Sequence, residues 1–195
     1  MPLKKILLVP MLFMILLLML PGCADEAEKA EKQWETHWLG AEAFSARVMA
    51  RVVLDDQVQD YILSWRWSDG VYRAEILEPE TLSGISITGT PSGGLEFSYN
   101  AVTLAVDPDA QVISPLEALG ELLADWRGGI PESRSFSLCD GENALALDFE
   151  HPRGAVTFSQ RAWFAPDTDI PIRAETYQDG KLICVFTFSE FNFDR

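Results

Sequence analysis

The chain has 195 residues, of which 30 are acidic and 15 basic, for a formal net charge of −15, and 48% are hydrophobic. A surface this acidic repels phosphates, which excludes nucleic acid as a partner, and it disfavours flat adhesion to anionic headgroups. The length suits one domain with a sizeable core.

The first segment reads as a secretory signal. Met1 to Lys5 is short and basic, Ile6 to Leu20 is apolar apart from Pro10, and Leu20-Pro21-Gly22-Cys23 closes the run. A basic start, an apolar stretch and a small-residue cleavage site mark a signal peptide, whereas a membrane span needs about 20 apolar residues. The Leu-x-Gly-Cys ending resembles the bacterial lipobox. That resemblance implies a diacylated (palmitate-type) thiol at Cys23, which becomes the mature N-terminus, and a membrane-anchored protein on the extracytoplasmic side. Pro21 departs from the small or β-branched residue usual at its position. Two acyl chains matter, because one anchors only marginally. The expected organisation is a signal peptide over 1–22, a lipidated N-terminus and charged spacer over 23–33, and one β domain over 34–195.

Ala24 to Lys32 is charged and helix-prone, with Asp25/Lys29 and Glu28/Lys32 as favourably ordered i,i+4 pairs, and the helical pattern continues to bring Trp34 and Trp38 onto one face. From Phe44 the period changes to two. Phe44, Ala46, Val48, Ala50 and Val52 alternate with more polar residues, as do Tyr61, Leu63, Trp65 and Trp67. Asp69-Gly70 turns the chain into Val71–Glu78. Shorter strands are predicted over Gly84–Gly89, Leu95–Tyr99 and Val102–Val106, separated by Pro91-Ser92-Gly93-Gly94 and followed by Asp107-Pro108-Asp109.

Ser114-Pro115-Leu116-Glu117 is a capping box with proline at the first helical position, and Leu116, Leu119, Leu123 and Trp126 recur at helical spacing until Gly128-Gly129. Strands resume with Ser135–Cys139, Asn143–Glu150, Ala155–Phe164, Ile172–Tyr177 and Leu182–Phe193, with hairpin turns at Asp140-Gly141 and Asp179-Gly180. The prediction is a mostly β (α+β) domain: about ten or eleven strands in a curved antiparallel sheet or incomplete barrel, lidded by a central and an N-terminal helix. Cys139 lies on a polar strand face and Cys184 on an apolar one, which favours two isolated thiols over a disulfide.

A sheet this large with only two amphipathic helices to cover it leaves apolar inner surface to spare, and incompletely filled barrels hold apolar ligands. The candidate cavity and lid residues are Trp65, Trp67, Phe97, Leu116, Leu119, Leu123, Trp126, Phe186 and Phe188. No catalytic constellation is expected. His37 sits between tryptophans, His151 precedes a proline, and Cys139 has no histidine near it in sequence. The Asp107/Asp109 and Asp167/Asp169 pairs are turn residues that fall short of the six or more oxygens calcium takes. No metal and no cofactor is expected.

Tyr72-Arg73-Ala74-Glu75-Ile76-Leu77-Glu78-Pro79 leading into Leu82-Ser83-Gly84, and Pro171-Ile172-Arg173-Ala174-Glu175 before the closing Phe186-Thr187-Phe188-Ser189-Glu190-Phe191, together with the order of elements, resemble the LolA/LolB superfamily of lipoprotein carriers and receptors. The resemblance spans essentially the whole mature chain. It implies an open barrel whose helix-lidded apolar face accepts acyl chains, in a non-enzymatic, anchored protein. The partners it implies are a lipid or lipoprotein anchor held in that face, or alternatively a protein of the cell envelope docked by a domain with a packed interior.

Overall fold

The computed structural model describes residues 22–54, 57–90, 95–105, 114–153 and 155–194. The predicted signal segment before Gly22, the Cys23 side chain, the Pro91–Gly94 turn and the Asp107-Pro108-Asp109 turn lie outside the described residues. The chain opens with helix α1 (Gly22–Gly40), one continuous helix through the charged stretch and both tryptophans. Strands β1 (Ala43–Leu54), β2 (Gln57–Ser68), β3 (Val71–Glu78), β4 (Ser86–Gly89), β5 (Leu95–Tyr99) and β6 (Val102–Ala105) follow. Helix α2 (Pro115–Gly128) then leads into β7 (Ser133–Cys139), β8 (Glu142–Arg153), β9 (Val156–Phe164), β10 (Pro171–Gln178) and β11 (Lys181–Asp194). Among the described residues no helix is long and apolar enough to cross a membrane.

The strands form one antiparallel sheet in the order β6-β5-β4-β3-β2-β1-β11-β10-β9-β8-β7. Two meanders, each built from hairpins, meet where β1 pairs with β11, so the first and last strands zip together mid-sheet and, among the described residues, β6 and β7 are its edges. The sheet is therefore open. The three Asp-Gly turns behave as their composition requires. Both central residues take positive φ at Asp69-Gly70, Asp140-Gly141 and Asp179-Gly180, the conformation whose twist matches antiparallel strands. A fourth tight turn, Asn100-Ala101, joins β5 to β6. After β3 the chain makes a 3-10 turn over Glu80–Leu82, and the strand predicted from Gly84 begins at Ser86, because the Gly84 N–H donates to the Ile76 carbonyl before β4 starts.

Cross-strand register places side chains in rows on the inner, helix-covered face. One row reads Ala46, Trp65, Ala74, Ile87, Phe97 and Leu104. Another reads Tyr61, Ala50, Phe186, Ala174, Ala162 and Leu147. The buried alanines recur between large rings, and this alternation of small and large side chains lets helices approach a curved sheet closely. Cys139 and Cys184 are both unbridged.

Ala101 holds φ at +65°, a left-handed conformation that costs a side-chain-bearing residue about 1 kcal/mol or more and glycine almost nothing. Ala101→Gly should therefore raise stability by ~1 kcal/mol in chemical unfolding, with an unchanged dependence on denaturant.

Candidate functional site

Helix α2 lies across the inner face. Its start is fixed by the predicted capping box. Ser114 Oγ accepts from the Glu117 N–H at 3.2 Å, and the Glu117 carboxylate accepts from the Ser114 N–H at 2.8 Å, with Pro115 at the first turn. Leu116, Leu119, Leu122 and Leu123 then face the sheet and are buried. Trp126 continues that series and sits at the centre of an aromatic knot. Its ring lies 4.9 Å from Trp38 of α1, 5.7 Å from Trp65, 5.0 Å from Phe164 and 5.5 Å from Phe188, centroid to centroid. Edge-on and tilted contacts of this kind add to the apolar burial.

Eight of the nine residues singled out from the sequence (Trp65, Trp67, Leu116, Leu119, Leu123, Trp126, Phe186 and Phe188) come together in this one cluster. Phe97 lies at its margin, half-buried. Beneath Trp126 the inner face is filled by the protein's own rings. The apolar surface to spare lies instead toward the β6 edge. The row that is fully buried at Trp65, Ala74 and Ile87 emerges at Phe97 and ends at Leu104, 65% exposed. Leu95, Tyr99 and Val102 share that face by register, whereas Glu96, Ser98 and Thr103 occupy the other. The result is an apolar strip, continuous with the core, that α2 does not cover.

Several side chains that the sequence reading did not single out hold α2 in its seat. Arg127 donates from Nη1 to the carbonyls of Trp38 (3.0 Å) and Ala41 (2.8 Å) and stacks its guanidinium 4.5 Å over the Trp67 ring. A cation in the last turn of a helix is a legible signal, although its partners are not. Gly120 is the second. A methyl group there would stand 2.1 Å from the Tyr72 hydroxyl, so the glycine is the notch into which Tyr72 fits. Glycine in mid-helix costs about 1 kcal/mol against alanine, and that oddity in Leu116–Trp126 was the available clue. Burial pushes the Tyr72 phenol far above its ordinary range, so it stays neutral.

Both histidines join a helix to the sheet layer through a buried aspartate. His151, on β8, places Nε2 2.7 Å from Oδ1 of Asp125 on α2, and that carboxylate is only 2% exposed. His37, on α1, places Nδ1 3.1 Å from Oδ2 of Asp169, whose own carbonyl accepts from Trp38 Nε1 at 3.0 Å. Burial pushes the Asp125 carboxyl up, against the opposing pull of His151, and its Oδ2 has no hydrogen-bond partner among the described residues. Burial likewise raises both thiols, Cys139 and Cys184, which makes them poor nucleophiles at neutral pH. Among the described residues no three His, Cys, Asp or Glu side chains gather as a metal site needs. The arrangement buries apolar surface under both helices, with polar ties setting where the covering helices rest.

No family model and no curated protein sequence matches the chain. Solved structures do. A conserved protein from Thermus thermophilus aligns at 11% identity over 87% of this chain and 88% of its own, with a TM-score of 0.53. A DUF1329 family protein from Desulfovibrio piger aligns at 11% identity over 87% and 91%, with a TM-score of 0.50. A LolA superfamily protein from Nitrosomonas europaea aligns at 13% identity over 87% and 94%, with a TM-score of 0.46. At such identities the likeness to the first two of these structures is one of fold alone.

Two substitutions probe the seat of α2. Gly120→Ala should cost ~1–3 kcal/mol despite its better helix propensity, because the added methyl meets a buried ring. Tyr72→Phe in the same chain should recover part of the loss in chemical unfolding. Asp125→Asn tests the electrostatics. The folded state holds this carboxyl above its usual range, so its protonation favours folding. The stabilisation is complete at pH below the ordinary carboxylate range and is lost as pH rises through the raised value. The melting temperature of Asp125→Asn relative to the parent should therefore climb as pH rises above the ordinary carboxylate range of about pH 4.

Proposed function

We propose that this domain is LolA-like and forms the extracytoplasmic part of a lipoprotein anchored through Cys23, and that it binds a hydrophobic ligand without catalysis. The ligand class is an acyl chain, a whole lipid or the acylated end of another lipoprotein. The observation that carries this reading is the apolar strip. The inner face supplies more apolar surface than α1 and α2 cover, and the excess forms one continuous path from solvent at Leu104 through Phe97 to the rim of the helix seat at Ile87. Burial against an acyl chain is worth about 25 cal/mol per Å² before entropic costs, so even a strip a few side chains wide is a useful first contact.

Deeper binding requires α2 to rise, since Trp126 and the four leucines occupy the space beneath it. In this reading the helix is a lid, and Phe97 and Leu104 are the sill over which the ligand passes. The filled interior also favours a second reading, in which the domain stays closed and the exposed strip docks an apolar segment of an envelope protein. The two differ in what travels with the protein.

Native mass spectrometry of the chain extracted from membranes decides between them. Carriage predicts bound lipid, or uptake of added phospholipid, and it predicts that Leu119→Glu and Trp65→Glu abolish both if those variants fold. Leu104→Glu, at an exposed position, should keep the fold and lower uptake at least severalfold. A clean apo protein that takes up no lipid and instead recovers one stoichiometric protein on cross-linking rejects carriage in favour of docking.

A further inference from the structure

The anchor reading leaves open how the domain stands on its membrane, and the packing of α1 supplies an answer. Ala27, four residues after Cys23, is already buried to 4% exposure, and helix α1 runs unbroken through this stretch. Four helical residues advance the chain by only about 6 Å. A diacyl group on Cys23 would therefore be joined to the folded domain without a free linker, and the surface beside Ala27 would be held at the lipid.

That surface is the β7 edge of the sheet. Glu31 pairs with Arg134 of β7, and Glu26, Ala27 and Glu28 share one cleft of about 820 Å³ with Phe136 of β7 and Asn143 of β8. Arg134, Phe136 and Leu138 alternate onto one strand face, the face turned to α1. Two residues beyond Phe136, a step of about 7 Å along the strand, Leu138 is 74% exposed. Its cross-strand partner is Asn143. From the Glu31–Arg134 pair to the cleft shared by Ala27 and Phe136, α1 runs backward as β7 runs forward, so one further step the same way reaches Cys23 on the helix and Leu138 on the strand. The neighbouring charges are Glu26, Glu28, Asp140 and Glu142 on one side and Lys29, Lys32 and Arg134 on the other, with Arg134 engaged by Glu31 and Lys32 by Glu28. This end is not basic, so it does not suit an anionic surface.

We infer that the domain rests on a zwitterionic lipid surface in one fixed orientation, with the start of α1 and the β7–β8 hairpin toward the membrane and the Leu138 side chain at the interface. The inference rests on the anchor proposed for Cys23. It gives an exposed leucine on a free edge strand a lipid neighbour, and it withholds that edge from pairing with other chains.

The test uses the mature lipidated chain reconstituted in phosphatidylcholine vesicles, with Cys139→Ala and Cys184→Ala as background and a nitroxide at Leu138→Cys. A second label at Val58→Cys, near the β1–β2 turn at the other end of the strands, is the reference. On reconstitution the Leu138 label should lose accessibility to a water-soluble nickel chelate several-fold and gain accessibility to oxygen, whereas the Val58 label should change little. Amide exchange in the unsubstituted chain provides a measure free of the labels. Residues 133–143 should exchange more slowly on vesicles than in the Cys23→Ala form. Vesicle flotation with both labels equally open to water and no added protection of 133–143 overturns the inference while leaving the anchor intact. A chain that lacks the diacyl mass and does not float overturns both.

Discussion

Trp126 is the residue through which the rest of the molecule is held together. The sheet consists of two meanders joined only where β1 meets β11, and a seam of that kind needs something to bridge it on the inner face. Trp126 touches Trp65 from the first meander, Phe164 and Phe188 from the second, and Trp38 from the other helix. One side chain on α2 therefore couples both halves of the sheet and both covering helices. Its burial depends in turn on the alanines at positions 46, 50, 74, 162 and 174, which keep the inner face low enough for the rings to nest.

The seat of α2 is strong in apolar contact and imperfect in its polar groups. Trp126 Nε1, Trp65 Nε1, the Tyr72 hydroxyl and Asp125 Oδ2 are buried without a hydrogen-bond partner among the described residues. Each such group carries a desolvation cost of about 1–3 kcal/mol that a fully apolar interface would avoid. Dispersion and hydrophobic burial pull the helix down, whereas these groups lower the free energy needed to lift it. The polar ties sort the same way. Arg127 fixes the end of α2 next to α1 with two backbone hydrogen bonds and a ring contact, and the Asp125–His151 contact holds its other flank.

The elements that could be read from the sequence are those specified by neighbours along the chain. The Asp-Gly turns demand positive φ, and the two-residue alternation in Phe44–Val52 and Tyr61–Trp67 specifies a strand with one apolar side. The Ser114–Glu117 box specifies a helix start within a residue of where it occurs. Asn100-Ala101 was hidden because alanine gives no sign of left-handed backbone, and the start of β4 at Ser86 because the Gly84 bond back to Ile76 is made only in the folded chain. The candidate site divides along the same line. Membership of the aromatic cluster followed from strand parity and helical spacing, so it was legible. The partners of Arg127, Gly120, His37 and His151 lie from roughly thirty to more than a hundred positions away along the sequence, where neither period nor spacing reaches.

The same geometry explains why spare apolar surface appears at the β6 edge and not at the centre. Two helices can be placed over only part of a sheet this wide, and the tryptophans of α1 and α2 meet over β1, β11 and β9, where the seam most needs support. The short strands β4, β5 and β6 extend beyond that reach, and their inner-face side chains grow more exposed with each step from Ile87 to Phe97 to Leu104. The exposed strip is thus the consequence of placing the largest side chains where they close the seam. A chain that only had to fold could have made those outer positions polar, as it did on the opposite face at Glu96, Ser98 and Thr103. Retaining leucine, phenylalanine, tyrosine and valine on the face that continues the core is the pattern expected of a surface that meets apolar matter.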